Sequence, residues 1–97
     1  MKRKAPVTRK RYANVFEALE KSPAVAANIS ARADLLTQIE HFISKKGWTQ
    51  TQAAQHCGIS QPRVHELMSG QINKFSLDAL VNIVTALGRR VQIKIAA

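Results

Sequence analysis

The stretch GISQPRVHEL, residues 58 to 67, sets Gln61, Arg63 and His65 among apolar residues spaced for a helix. Their chemistry suits recognition of base edges. A glutamine amide carries donor and acceptor together and pairs bidentately with adenine, a guanidinium does the same with guanine, and the free amides of a helix N-terminus favour phosphate. With Ile59, Val64 and Leu67 turned inward, Ser60, Gln61, Arg63, His65 and Glu66 are left on exposed or half-exposed surfaces. Residues in the first turn and a half of such a helix reach deepest into a major groove. That favours Gln61, Arg63 and His65 for bases, and puts Gln50, Thr51, Ser60, Asn73 and Lys74 nearer the sugar-phosphate backbone.

Other chemistries find less support. His56 stands beside Cys57, with His41 and His65 elsewhere, but no Cys-x-x-Cys or His-x-x-x-His spacing accompanies them, and adjacent helical residues point about 100° apart. No metal site is expected, and Cys57 reads as a small core residue. Phosphate-loop and dinucleotide-loop patterns are absent, and no serine, histidine or aspartate sits in a nucleophile context. Neither an enzyme nor a cofactor is expected.

The elements that must position these residues are marked by their ends. The four glycines, at 47, 58, 70 and 88, each fall where an apolar helical pattern stops or a tight turn is needed. Tyr12, Val15, Phe16 and Leu19 suggest a short amphipathic piece. Ser22 is an N-cap with Pro23 at the first helical position, and Val25, Ile29, Ala33, Leu36, Ile39, Phe42 and Ile43 then recur at steps of three and four up to Gly47. That predicts one long core helix, or two with a bend. In TQTQ, the Thr49 hydroxyl can accept from the Gln52 amide while the Gln52 side chain reaches back, a capping box that opens a short helix ended by Gly58. Ser60 caps a third helix, from Gln61 to about Ser69, that buries Val64, Leu67 and Met68. Ser76 caps a last one, with Phe75 and Leu80 placed for a hydrophobic staple and an apolar stripe of Leu77, Leu80, Val81, Val84 and Leu87. In RRVQIKI the period changes to two, predicting a strand that buries Val91, Ile93 and Ile95. No second strand candidate exists, so the strand calls for a partner, most economically the same strand of a second copy in a homodimer.

Two short helices joined by a tight glycine turn inside a small helical domain describe a helix-turn-helix. Ninety-seven residues make one domain, enough to bury ~60–70% of the surface of the unfolded chain. Fifteen Lys and Arg stand against six Asp and Glu, a net charge of +9. Six of the basic residues lie in the first eleven positions (Lys2, Arg3, Lys4, Arg9, Lys10, Arg11), which leaves the body mildly basic at +3. A basic arm on a mildly basic body suits a polyanion such as nucleic acid. The arm could follow the minor groove or phosphates, bind RNA, or serve as a flexible solubilising tail. A single cysteine forbids an intramolecular disulfide. No apolar run has signal-peptide or membrane-spanning character, so a soluble cytoplasmic protein without membrane contact is expected.

TQTQAAQHCGISQPRVHELMSG resembles the helix-turn-helix of the Xre class shared with phage repressors and Cro proteins, and INKFSLDALVNIVTALGRRVQIKI extends the likeness to small HigA-like antitoxins. The likeness spans roughly residues 14 to 95 and is most specific from Thr49 to Gly88. It implies a lambda-repressor-like, all-α bundle of about five helices, with a short C-terminal β-strand and a disordered basic N-terminal arm. The arm would cover residues 1–11 and a single domain residues 12–97. It further implies a dimer that represses transcription from a palindromic operator in double-stranded DNA and, if an antitoxin, binds a RelE-type toxin. Without a toxin, a phage or plasmid repressor is the alternative. Family roles fall on Gln50 as a phosphate contact and on Gln61, Arg63 and His65 in the recognition helix. Pro62 stands where some phage repressors have glutamine, and it can donate nothing.

Overall fold

The computed structural model describes residues 22–96, which form four α-helices and one 3₁₀ turn: α1 (Pro23–Lys46), α2 (Gln50–Cys57), α3 (Gln61–Met68), the 3₁₀ turn Ile72–Lys74, and α4 (Leu77–Ala86). The arm expected over residues 1–11 and the amphipathic piece around Tyr12 to Leu19 lie outside the described residues.

Every helix starts on a hydroxyl cap. The Ser22 hydroxyl accepts from the Val25 amide, Ser60 from Arg63 and Ser76 from Ala79, at 3.3, 3.3 and 3.1 Å. Such bonds satisfy amides that have no partner in the first turn. The capping box closes in both directions, with Gln52 N–H on Thr49 Oγ1 at 3.1 Å and Thr49 N–H on Gln52 Oε1 at 2.9 Å. At the turn between α2 and α3, Gly58 has φ +72° and its amide donates to the Ala54 carbonyl at 2.9 Å. A Cβ there would meet the Ala86 Cβ at 3.9 Å, an ordinary contact, so the left-handed backbone rather than space is what demands glycine.

The long N-terminal pattern is one continuous helix of 24 residues, about 36 Å at 1.5 Å per residue. It lies across α3, α4 and the 3₁₀ turn, while α2 packs on α3 and α4. The core joins Leu36, Ile39 and Ile43 of α1 to Ala53, Ala54 and Cys57 of α2, Val64 and Leu67 of α3, Ile72, Phe75, and Leu80 and Ile83 of α4. No polar or charged residue is buried in it. The two alanines let α2 approach its neighbours closely. Phe75 and Leu80, the staple pair, are both buried.

Three expectations about burial are corrected. Val25 is 42% exposed, because α1 outruns its 8- and 10-residue partners and its first turn projects past them. Met68 is 37% exposed: with Val64 and Leu67 pointing into the core, the last residue of α3 is turned about 100° out of that stripe. On α4 the inward face is centred on Leu80 and Ile83, and Ile83 was missing from the expected stripe, whose Leu77, Val81, Val84 and Leu87 flank it half-buried.

Residues 91–96 have no regular secondary structure, and among the described residues there is no strand. Val91 folds back to line a cavity of about 330 Å³ against Leu35, Ile39, Phe42, Val84 and Leu87, whereas Ile93 and Ile95 are 79% and 98% exposed. A ladder takes two strands, and the single chain holds only one segment with the pattern.

Candidate nucleic-acid interface

The N-terminal ends of α2 and α3 lie side by side. The Gln61 side-chain amide donates to Thr51 Oγ1 at 2.9 Å, which ties the first turn of α3 to the first turn of α2 across ten residues of chain. Gln50, Thr51, Ser60, Gln61 and Pro62 are all exposed around this junction, and His65 continues the exposed face of α3 one turn on. Beyond the other end of α3, Asn73 and Lys74 are exposed on the 3₁₀ turn. The residues expected to serve one surface thus fall in two groups, one at the Thr51–Gln61 junction and one on the 3₁₀ turn, whose Lys74 carbonyl is bonded to Arg63 of α3.

Arg63 has a different setting from its neighbours. Its Nη1 donates to Glu66 Oε1 and to the Lys74 carbonyl, each at 3.0 Å, and its guanidinium lies 4.1 Å from the centre of the Phe75 ring. Both hydrogens of Nη1 are thus engaged within the chain, and the side chain is 37% exposed. Glu66 offers its other oxygen to Lys74 Nζ at 3.6 Å. The one carboxylate on α3 is thereby flanked by two cations, which offsets the repulsion it would otherwise exert on an approaching anion.

A second arginine, which the sequence did not mark, holds the same segment from behind. Arg32 Nη1 reaches the carbonyls of Ile72 and Phe75 at 3.3 and 3.4 Å, while its Nε donates to Asn28 Oδ1 at 2.8 Å. Carbonyls 72, 74 and 75 are bonded to arginines from α1 and α3, so the backbone that carries Asn73 and Lys74 is fixed to both helices. Only the i, i+4 spacing of Asn28 and Arg32 was visible in sequence, and that spacing is common on any exposed helix face.

Trp48 precedes α2 and stacks flat on His56, with ring centres 3.9 Å apart and planes 7° from parallel, and the Phe42 ring meets it tilted by 58° at 6.0 Å. These aromatic contacts fasten the end of α1 to α2. Cys57 is buried in the core beside them, and burial pushes its thiol above the ordinary cysteine value. Among the described residues no three His, Cys, Asp or Glu side chains cluster as metal ligands would, and no helix is long and apolar enough to cross a membrane.

A comparison with curated proteins finds no significant match. A sequence model of the helix-turn-helix domain matches residues 18–96, a span that contains all four helices, the Gly58 turn and the surface just described. On that match the chain belongs to the helix-turn-helix domain family, an architecture that places its second helix in the DNA major groove.

Proposed function

We propose that the protein is a sequence-specific transcriptional repressor that binds duplex DNA as a homodimer and, as the antitoxin of a type II toxin–antitoxin pair, represses its own operon. One observation carries the DNA reading: α3 has Gln61 and His65 on an exposed face, while a cap, the Gln61–Thr51 bond and the Arg63 contacts hold that helix in place. In this reading Gln61 and His65 meet base edges, Gln50, Thr51, Ser60, Asn73 and Lys74 meet phosphates, and Arg63 with Glu66 positions the segment that carries Asn73 and Lys74.

The dimer reading rests on Ile93 and Ile95, which are apolar, alternate with Gln92 and Lys94, and are almost wholly exposed in the single chain. Antiparallel pairing of residues 91–95 about a two-fold axis would satisfy the backbone and cover both side chains. It would also set two α3 helices for half-sites ~34–36 Å apart. The antitoxin reading rests on the likeness of Thr49 to Gly88, and of the segment after it, to HigA-like proteins. A neighbouring reading frame for a small basic ribonuclease that complexes with this chain supports it. Absence of such a frame leaves a phage or plasmid repressor of the same class.

Selection of bound duplexes from a random pool with the full chain tests the DNA reading. The expected product is a palindrome, with affinity lost when the chain is cut after Gly88 and sediments as a monomer. A pool that returns no enriched sequence would refute sequence-specific repression. A cut chain that still sediments as a dimer would move the interface off the strand.

A further inference from the structure

We propose that Lys46 and Arg89, gathered around the ring of Phe42, form a second phosphate-binding site that takes the DNA backbone flanking the segment under α3; this rests on the reading of the chain as a duplex-binding protein. Lys46 Nζ and the Arg89 guanidinium carbon each lie 5.4 Å from the centre of the Phe42 ring. One cation ends α1 and the other follows α4, so the tertiary fold alone brings them together. Beside them an open cleft of about 640 Å³ has Thr37, Gln38, His41 and Lys45 on its remaining walls.

No acidic side chain lines the cleft. The ion pairs Arg63–Glu66 and Lys74–Glu66 lie elsewhere, on α3 and the 3₁₀ turn. Like charges converging on one ring repel each other, and a bound anion relieves that repulsion. The aromatic floor favours the cations through its π face and leaves N–H groups free to point outward, and a guanidinium edge fits a phosphate bidentately.

Position selects DNA as the source of that phosphate. Lys46 is four residues before Gln50, a span of at most ~14 Å. The Phe42–Trp48–His56 contacts hold the site against the last turn of α2, ~9 Å along that helix from the first turn that is bonded to Gln61. A duplex carries one charge per ~1.7 Å of axis, so a strand that passes the N-terminus of α2 has phosphates within reach of Lys46 and Arg89. The site would lengthen the footprint beyond the bases read by α3 and add affinity without adding sequence preference.

The experiment measures the salt dependence of binding of the full chain to a labelled random-sequence duplex of about thirty base pairs, between 50 and 200 mM salt. The double variant Lys46→Gln, Arg89→Gln should lower the slope of log K against log salt by about 1.8, that is ~0.9 for each of two phosphates no longer neutralised. The charge-keeping variant Lys46→Arg, Arg89→Lys should retain the slope, which separates removal of charge from damage to the fold. Wild-type binding with an unchanged slope in the glutamine variant would overturn the second site alone. Failure of the wild-type chain to bind the duplex at any of these salt concentrations would overturn the DNA reading and the site with it.

Discussion

Replacing Arg63 by alanine separates two uses of one side chain. Read from sequence, Arg63 faces a groove and pairs with guanine, and its removal would relax preference at one base pair. The structure engages it with Glu66, the Lys74 carbonyl and the Phe75 ring. The ion pair is half-exposed and spaced i, i+3, so it contributes only about 0.3–0.5 kcal/mol. The carbonyl bond adds about 0.5–1.5 kcal/mol, and the cation on the ring about 0.5–1 kcal/mol. These share one group and do not add fully, which sets the expected destabilisation at about 1–2 kcal/mol. For a domain of this size each kcal/mol lowers Tm by about 4–8 °C. Urea and thermal unfolding measure the effect on stability, and binding to a selected duplex and to a random one measures the effect on recognition. Arg63→Ala should lose affinity by the same factor on both duplexes, because a loosened 72–75 segment weakens phosphate contacts that ignore sequence. Glu66→Gln, which keeps an acceptor but removes a charge, should fall between wild type and Arg63→Ala in stability. Unchanged stability together with loss of discrimination at a single base pair would refute the positioning role and return Arg63 to the bases.

Deleting residues 2 to 11 removes six of the fifteen basic residues; binding to most duplexes should weaken and the salt slope should fall by about 0.9 for each phosphate the arm neutralises, an unchanged slope excluding these residues from the interface. The Cys57 thiol, pushed up by burial, should be alkylated at neutral pH only as fast as the chain opens, so that a rate equal to that of a free thiol would show it accessible. Because its folded pKa is raised above the unfolded value of ~8.5, its contribution is fully present below that pH and is lost as pH rises through the folded value; urea titrations should show the wild type losing more stability than Cys57→Ala on the alkaline side.

What was legible in the sequence is what acts over a few residues. Ser22, Thr49, Ser60 and Ser76 each bond an amide three positions on, and Gly47, Gly58 and Gly88 end helices through their own backbone conformation. Such signals are complete within one turn of chain, so helix starts and stops, and with them the two-helix motif, could be read directly. The seating of α3 by Val64 and Leu67 was legible for the same reason, since a helical stripe is a local period.

The outer parts of the pattern were not. Whether Val25 is covered depends on how far the neighbouring helices extend, Met68 falls outside the stripe set by Val64 and Leu67, and Ile83 faces inward because α4 packs on α1 and α2 through the side it shares with Leu80. The polar side chains show the same division. Gln61, Arg63 and His65 are alike in sequence as polar positions on a helix, yet Gln61 bonds across to Thr51, His65 stays exposed and Arg63 turns back onto Phe75. Arg32 reaches carbonyls forty and more residues away, and Lys46 and Arg89 meet over one ring. The helices, their caps and the motif could be read from residue order alone, because those interactions close within a turn of backbone. Which charged side chains are engaged inside the molecule and which remain for a partner follows only from packing, because a long flexible cation settles on whatever carbonyl, carboxylate or ring the fold brings within its reach.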